Sequence, residues 1–227
     1  AEFEIPEEVM PWIEGFSIHR FAREAAKRGD RKTLGGLISR AEKMAAGMSR
    51  YGFDHGDISG SNIIVDHGGD LWLIDPDTLR HSSIEDDDFH LREVGHEHFA
   101  HTKRSCVQWE DNLYRFPLEL IIVSLKGLEA DPDLVNRFGN EDNSLLFKRE
   151  DLDEPYDSEL FEVLIDLVGK RANLLKMAAQ SNSVTVANKI LGPINARVPK
   201  KTPLGGLVLP DSPLCSVGAT RRSVRIG

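Results

Sequence analysis

The sequence has little cysteine, no excess of basic charge and no long hydrophobic run, and each shortage excludes a class of protein. Its 227 residues include 2 cysteines, which excludes a disulfide scaffold and favours a reducing, cytoplasmic setting. The 28 basic residues are outnumbered by 37 acidic ones, and the net charge of −9 argues against a general binder of nucleic acid or of membrane surfaces. No apolar run approaches the roughly 20 residues that a membrane span needs.

Apolar residues make up 40% of the chain, enough to bury a core without disulfides or metals. They recur at helical spacing in several segments, which we predict to be helices: 16–29, 33–51, 112–125, 133–138, 158–168, 172–179 and 184–194. The segment 112–125 is apolar throughout and is predicted to be a buried central helix. Pro117 lies inside it and predicts either a kink or a helix that begins near Arg115.

A β-hairpin is predicted between residues 62 and 75, where two apolar, β-branched runs flank Gly68 and Gly69. A two-residue turn at these glycines fixes which residues lie opposite one another. The apolar face would then consist of two cross-strand pairs, Ile63 with Ile74 and Val65 with Trp72.

The same turn would set Asn62 directly opposite Asp75 on the other face of the hairpin. Cross-strand partners have Cβ atoms about 5 Å apart, so both side chains could hold one hard cation such as Mg²⁺. Asp57 precedes the hairpin on a short loop. A carboxylate beside a bound cation can accept the proton of a hydroxyl while the cation neutralises phosphate charge, which is much of what phosphoryl transfer requires.

The run HGDISGSN followed by LWLIDPD resembles the catalytic loop and metal-binding strand of the protein-kinase-like fold. The family pattern H-x-D-x-x-x-x-N, a short hairpin and an apolar run ending in Asp are all present in order. The resemblance implies that Asp57 is the catalytic base and that Asn62 and Asp75 are the ligands of Mg²⁺ on the phosphates of ATP.

The resemblance extends on both sides of this run. VMPWIEGFSIHRF is similar to the family's hinge, where the carbonyl of Pro11 and the amide of Ile13 would bind adenine. EDNLYRFPLELIIVSLKG resembles the central helix, with Asn112 where an Asp is customary and Asp111 just before it. The implied fold is α+β and mostly α-helical, the large C-terminal lobe of a kinase with a short catalytic hairpin. Residues 1–15 would be a strand end and hinge, 16–199 the helical lobe and 200–227 a tail.

Several positions depart from the protein-kinase pattern. Asp75-Pro76-Asp77 replaces D-F-G, and Gly56 replaces the Arg that reads an activation-loop phosphate. Ser59 and Ser61 stand where protein kinases usually place a Lys or Arg. These small residues look more like those of aminoglycoside and choline kinases or of divergent bacterial protein kinases. No glycine-rich loop, strand lysine or partner glutamate precedes Met10, so the lobe that covers ATP is expected upstream or from a partner.

These features predict an ATP- and Mg²⁺-dependent phosphotransferase with a hydroxyl-bearing acceptor, first of all a divergent Ser/Thr protein kinase. A small-molecule kinase of the aminoglycoside type is the enzymatic alternative. A pseudokinase that acts as a scaffold is the alternative from another class. The missing small lobe favours the pseudokinase, whereas the intact Asp57, Asn62 and Asp75 argue against it, because a scaffold does not need all three.

A second group of metal-ligand residue types lies at 96–101, in the run HEHFAH. Imidazole and carboxylate groups can bind Zn²⁺, but the alternation of His96 and His98 is broken by His101 and no C-x-x-C accompanies them. The predicted structure here is a long, polar, ordered loop over 78–108.

Overall fold

The computed structural model describes residues 12–82, 94–105, 109–139 and 144–193, and helices dominate these ranges. The first half contains β1 (Gly15–Ser17), α1 (Ile18–Lys27), α2 (Arg31–Tyr51), β2 (Phe53–His55), β3 (Ile63–Asp66), β4 (Leu71–Leu73), a 3₁₀ turn (Pro76–Thr78) and β5 (Leu79–His81). The second half contains α3 (Arg115–Ala130), α4 (Leu134–Arg137), α5 (Arg149–Asp153), α6 (Glu159–Val168), α7 (Lys170–Ala179) and α8 (Val184–Leu191). The prediction of a mostly helical α+β chain is confirmed.

The two N-terminal helices follow the predicted apolar stripes. The carboxylate of Asp30 accepts the backbone N–H of Thr33 at 3.0 Å and caps α2, and Gly52 ends the helix in the left-handed conformation with φ +67°. The first helix begins two residues later than predicted because 15–17 pair with β3 as a strand.

The central helix α3 begins at Arg115, one of the two outcomes predicted from Pro117. Pro117 lies in the first helical turn, where the N–H that it lacks has no partner within the helix. Nearly all of α3 is buried, since α2, α6, α7 and α8 pack around it. A helix that is apolar on all sides needs such an enclosed position.

The hairpin forms, but its predicted register is wrong by one residue. β3 and β4 pair Ile63 with Leu73 and Val65 with Leu71, and the amide of Asp66 donates to the carbonyl of Asp70 at 3.1 Å. The loop therefore contains three residues, 67–69, and Gly69 adopts φ +79°, the arrangement that completes a three-residue hairpin with a bulge.

The carboxylate of Asp66 explains the longer loop. It accepts the backbone N–H of Asp70 at 2.9 Å and the indole N–H of Trp72 at 2.7 Å. A shift of one residue moves side chains to the opposite face, so Trp72 is 46% exposed instead of lying in the apolar face. The predicted opposition of Asn62 and Asp75 is also wrong, because the amide of Ile74 donates to the carbonyl of Asn62 at 2.9 Å.

Two small antiparallel sheets carry the loop between β2 and β3. One sheet has the strand order β1-β3-β4, and the other pairs β2 with β5. The strand β5 lies inside the region predicted as a loop over 78–108, which corrects that prediction at its start. Pro11 and the predicted tail at 200–227 lie outside the described residues.

In the four ranges given above, no helix combines the length and the apolar character that crossing a membrane requires.

Candidate active site

The imidazole of His55 connects the loop that carries Asp57 with the strand end that carries Asp75. Its Nε2 lies 2.9 Å from the carbonyl oxygen of Asp75, and its Nδ1 accepts the backbone N–H of Asp57 at 3.1 Å. The ring is therefore the neutral tautomer with its proton on Nε2. Burial lowers the pKa of His55, which favours the same neutral form.

Donors on both oxygens hold the carboxylate of Asp57. The side-chain Nδ2 of Asn62 donates to Oδ2 at 3.0 Å and to the Asp57 carbonyl at 2.8 Å, and the backbone N–H of His96 donates to Oδ1 at 2.9 Å. The residue is half-buried and lies just beyond the end of β2. A carboxylate fixed in this way is an oriented proton acceptor for a hydroxyl group placed against it.

Asn62 and Asp75, the two predicted metal ligands, are both linked to Asp57: Asn62 by its side chain, and Asp75 through the ring of His55. Because Nδ2 of Asn62 faces Asp57, its Oδ1 points away from that carboxylate and is the atom available to a cation. Asp75 is exposed and immediately follows Ile74, whose amide is bonded to the carbonyl of Asn62, so the backbones of the two residues stay near one another despite the corrected register. An amide oxygen and a carboxylate fit Mg²⁺, which takes few protein ligands and completes its shell with water and phosphate oxygens.

The backbone at Asp75 is strained. Its φ is +62° and its ψ is 69°, in the left-handed region that non-glycine residues rarely adopt. Such conformations persist where the surroundings hold them, and they concentrate at functional sites. Here the hydrogen bond from His55 to the Asp75 carbonyl is one of the contacts that hold it.

Gly95 and His96 belong to this site, and sequence reasoning missed both because it treated 78–108 as one polar loop. Gly95 has φ +79°, and a Cβ there would stand 3.0 Å from the carbonyl oxygen of Gly56, 3.1 Å from Oδ1 of Asp57 and 2.9 Å from Nη1 of Arg104. Only glycine lets the segment 94–105 come this close to the loop. An isolated glycine before the histidine-rich run was the available signal.

A further missed residue is Asp54, which directly precedes His55 in β2. The residue is 9% exposed, and its carboxylate accepts three backbone N–H groups, those of His55, Leu113 and Tyr114. Burial raises the pKa of Asp54 to about 6, although these donors oppose the shift. The sequence signal was a single acidic residue at an inward position of a short strand.

The histidines of HEHFAH connect the segment 94–105 to the helices. Nδ1 of His98 accepts the backbone N–H of Arg149 at 3.0 Å. His101 is buried, with Nδ1 accepting the N–H of Lys103 at 3.1 Å and Nε2 lying 3.0 Å from the carbonyl of Ala178. Both nitrogens of His101 are therefore engaged, and the described part of the chain brings no three His, Cys, Asp or Glu side chains together as a metal site. The zinc alternative gains no support.

Of the two predicted adenine contacts, Ile13 alone falls within the described residues. It is half-buried and lies two residues before β1, in which Phe16 pairs with Val65 of β3. The next residue, Glu14, is exposed and lies 3.7 Å from Nε2 of His67 in the hairpin loop. The role of Pro11 and Ile13 in binding adenine stays a prediction.

A cavity of about 330 Å³ lies elsewhere, at the C-terminal end of α8. Three of its charged lining residues bind one another: Arg115 and Arg171 both donate to the buried carboxylate of Glu119, and Arg115 also binds the carbonyls of Leu191 and Gly192. Because these guanidinium groups already have partners within the protein, we assign the cavity a structural role and not a binding role.

No protein-family model and no curated protein matches this chain.

Proposed function

We propose that the chain is the large lobe of an ATP- and Mg²⁺-dependent phosphotransferase that phosphorylates a hydroxyl group, most simply a divergent Ser/Thr protein kinase. The observation that supports it best is the bonding of Asp57. Asn62 and His96 orient its two carboxylate oxygens, and the ring of His55 links its backbone to that of Asp75.

In the proposed reaction, Asp57 orients the acceptor hydroxyl and receives its proton. Asn62 and Asp75 would hold Mg²⁺, which neutralises negative charge on the phosphates when bound. His55 fixes the position of Asp57 relative to Asp75 by bonding to the backbone of both. Positioning of this kind supplies much of the rate in phosphoryl transfer, because little covalent chemistry is left for the protein.

The adenine would lie against the segment that contains Pro11 and Ile13, and an upstream lobe or partner would cover the phosphates. Both elements of the proposal rest on the resemblance to kinases. The assay is therefore made on the product of the complete gene.

The experiment compares three substitutions of Asp by Asn in that protein, at Asp57, Asp75 and Asp77. Asp77 is an exposed carboxylate two residues from Asp75 and serves as the matched control. We expect Asp57→Asn to abolish phosphate transfer while Mg·ATP still binds, Asp75→Asn to weaken Mg·ATP binding as well, and Asp77→Asn to change neither. Binding is measured by calorimetry and transfer with γ-labelled ATP.

Transfer that survives both Asp57→Asn and Asp75→Asn would refute the proposed roles. Binding of Mg·ATP by the wild-type protein without any transfer would instead indicate the pseudokinase.

A further inference from the structure

We propose that Asp54 is a positioning residue, whose carboxylate holds the catalytic loop against the N-terminal end of α3. This inference deepens the proposed function and rests on it for its effect on turnover. Asp54 lies outside the three residues that would touch substrate or metal.

The three hydrogen bonds of Asp54 reach two separate parts of the chain. Oδ1 accepts the amide of His55 at 2.9 Å and the amide of Tyr114 at 3.0 Å, and Oδ2 accepts the amide of Leu113 at 3.0 Å. The contacts to Leu113 and Tyr114 span about 60 residues of sequence and join β2 to the start of α3.

The residues that lead into α3 present the amides that Asp54 binds. Asn112 adopts φ +61°, so the chain turns there and directs the next N–H groups towards Asp54. The amides at the beginning of a helix have no partner within it and need an acceptor. Because α3 is buried nearly throughout, it is a rigid support for whatever is bonded to its end.

The bonds continue from Asp54 to the catalytic groups. Asp54 is adjacent to His55, whose ring accepts from the amide of Asp57 and donates to the carbonyl of Asp75. A displacement of Asp54 therefore moves His55, and with it both the proton acceptor and a proposed metal ligand. A carboxylate suits this place because it accepts on both oxygens, whereas an amide would turn an N–H towards another N–H.

The test replaces Asp54 by Asn, with Asp30→Asn as the matched control. Asp30 also accepts a helix-terminal amide, that of Thr33 at 3.0 Å. It caps the start of α2 while Asp54 follows the end of the same helix, and the 21 residues of α2 separate the two carboxylates by about 30 Å. Both substitutions remove a charge and one acceptor at a helix terminus, but Asp54→Asn alone touches the site.

Amide hydrogen exchange of the chain itself gives a readout that needs no enzyme activity. We expect Asp54→Asn to speed exchange about tenfold or more at Leu113 and Tyr114, and to speed it also at Asp57. Asp30→Asn keeps an oxygen that can accept the Thr33 amide, because Asn caps helices about as well as Asp, and should leave exchange at Thr33 and at Asp57 unchanged. If Leu113 and Tyr114 respond and Asp57 does not, Asp54 is a local helix cap and the inference is wrong.

In the active protein we expect Asp54→Asn to lower kcat at least about tenfold at a matched folded fraction, and Asp30→Asn to leave kcat unchanged. Equal kcat values for the two variants would overturn the inference. If the wild-type protein transfers no phosphate, the proposed function fails while the exchange experiment still decides the role of Asp54.

If Asp54→Asn does not fold, a milder change keeps the inference testable. A backbone ester at Leu113, introduced with the α-hydroxy analogue of leucine, removes one donor and leaves Asp54 charged. It should speed exchange at Asp57, and an unchanged rate there would contradict the inference.

Discussion

Gly95 is the position at which the approach of the segment 94–105 to the site can be tested most sharply. Gly95→Ala introduces a Cβ at a residue with φ +79°, within 3.1 Å of the carbonyl oxygen of Gly56 and of Oδ1 of Asp57. The left-handed backbone costs a non-glycine residue about 1–2 kcal/mol. The segment must also move away, which weakens the bond from the His96 amide to Asp57, and a hydrogen bond to a charged group contributes about 1.5–3 kcal/mol.

We therefore expect Gly95→Ala to lower the free energy of unfolding by roughly 2–4 kcal/mol. Gly29→Ala is the matched control, since Gly29 has φ +65° and no described atom lies within 4 Å of the point that an added Cβ would occupy. It should lose only the backbone contribution, about 1–2 kcal/mol. Urea denaturation followed by circular dichroism measures both values.

The two variants should differ more in activity than in stability. Gly95→Ala displaces a group bonded to Asp57, the proposed proton acceptor, and should lower kcat by about a hundredfold, whereas Gly29→Ala should leave it unchanged. Equal losses of stability in the two variants, together with equal transfer rates, would refute the reasoning that Gly95 is required by contact with Asp57.

The remaining predictions concern stability. Glu119→Gln removes the carboxylate partner of the buried Arg115 guanidinium, while Arg171 keeps Glu42, and should lower the unfolding free energy by about 3–5 kcal/mol in urea. Glu159→Gln, at a 74% exposed carboxylate, should change it by less than about 1 kcal/mol. Ile121→Ala opens a cavity beneath a fully buried side chain and should cost about 2–5 kcal/mol, measured by thermal unfolding. Burial raises the pKa of Asp54 from 3.8 to about 6. The stability that the protonated Asp54 contributes is therefore complete below pH 3.8 and is lost as pH rises through 6. Between pH 5 and 7 the unfolding free energy of the wild type should fall by about 1 kcal/mol relative to that of Asp54→Asn, and parallel pH profiles of the two proteins would contradict this.

Helices with a long apolar stripe could be predicted from the sequence, because their pattern and their end signals are local. The helix α2 has both, with Asp30 at its start and Gly52 at its end. The central helix was predicted for the same reason, and Pro117 indicated where it begins.

The hairpin register could not be predicted, because the turn is decided by a side chain and not by the two glycines alone. Asp66 bonds to Asp70 and Trp72 and so favours a three-residue loop over the two-residue turn that Gly68 and Gly69 suggest. The predicted opposition of Asn62 and Asp75 was therefore wrong, and Asn62 lies opposite Ile74, the residue before Asp75.

The supporting residues of the site could not be found from sequence because they depend on long-range contacts. Asp54 meets the start of α3, and Gly95 meets Asp57, across separations that local patterns do not encode. The loop residues Asp57 and Asn62, by contrast, are five positions apart, and the resemblance to kinases already grouped them in one site.

One measurement tests the central claim most directly: transfer of the γ-phosphate of labelled ATP by the protein expressed from its complete gene, in the presence of Mg²⁺ and then of excess EDTA. We expect the wild-type protein to label a hydroxyl-bearing acceptor only when Mg²⁺ is present, and Asp57→Asn to label none. Wild-type protein that binds Mg·ATP and never transfers phosphate, or an Asp57→Asn variant that transfers it at the wild-type rate, would contradict the account.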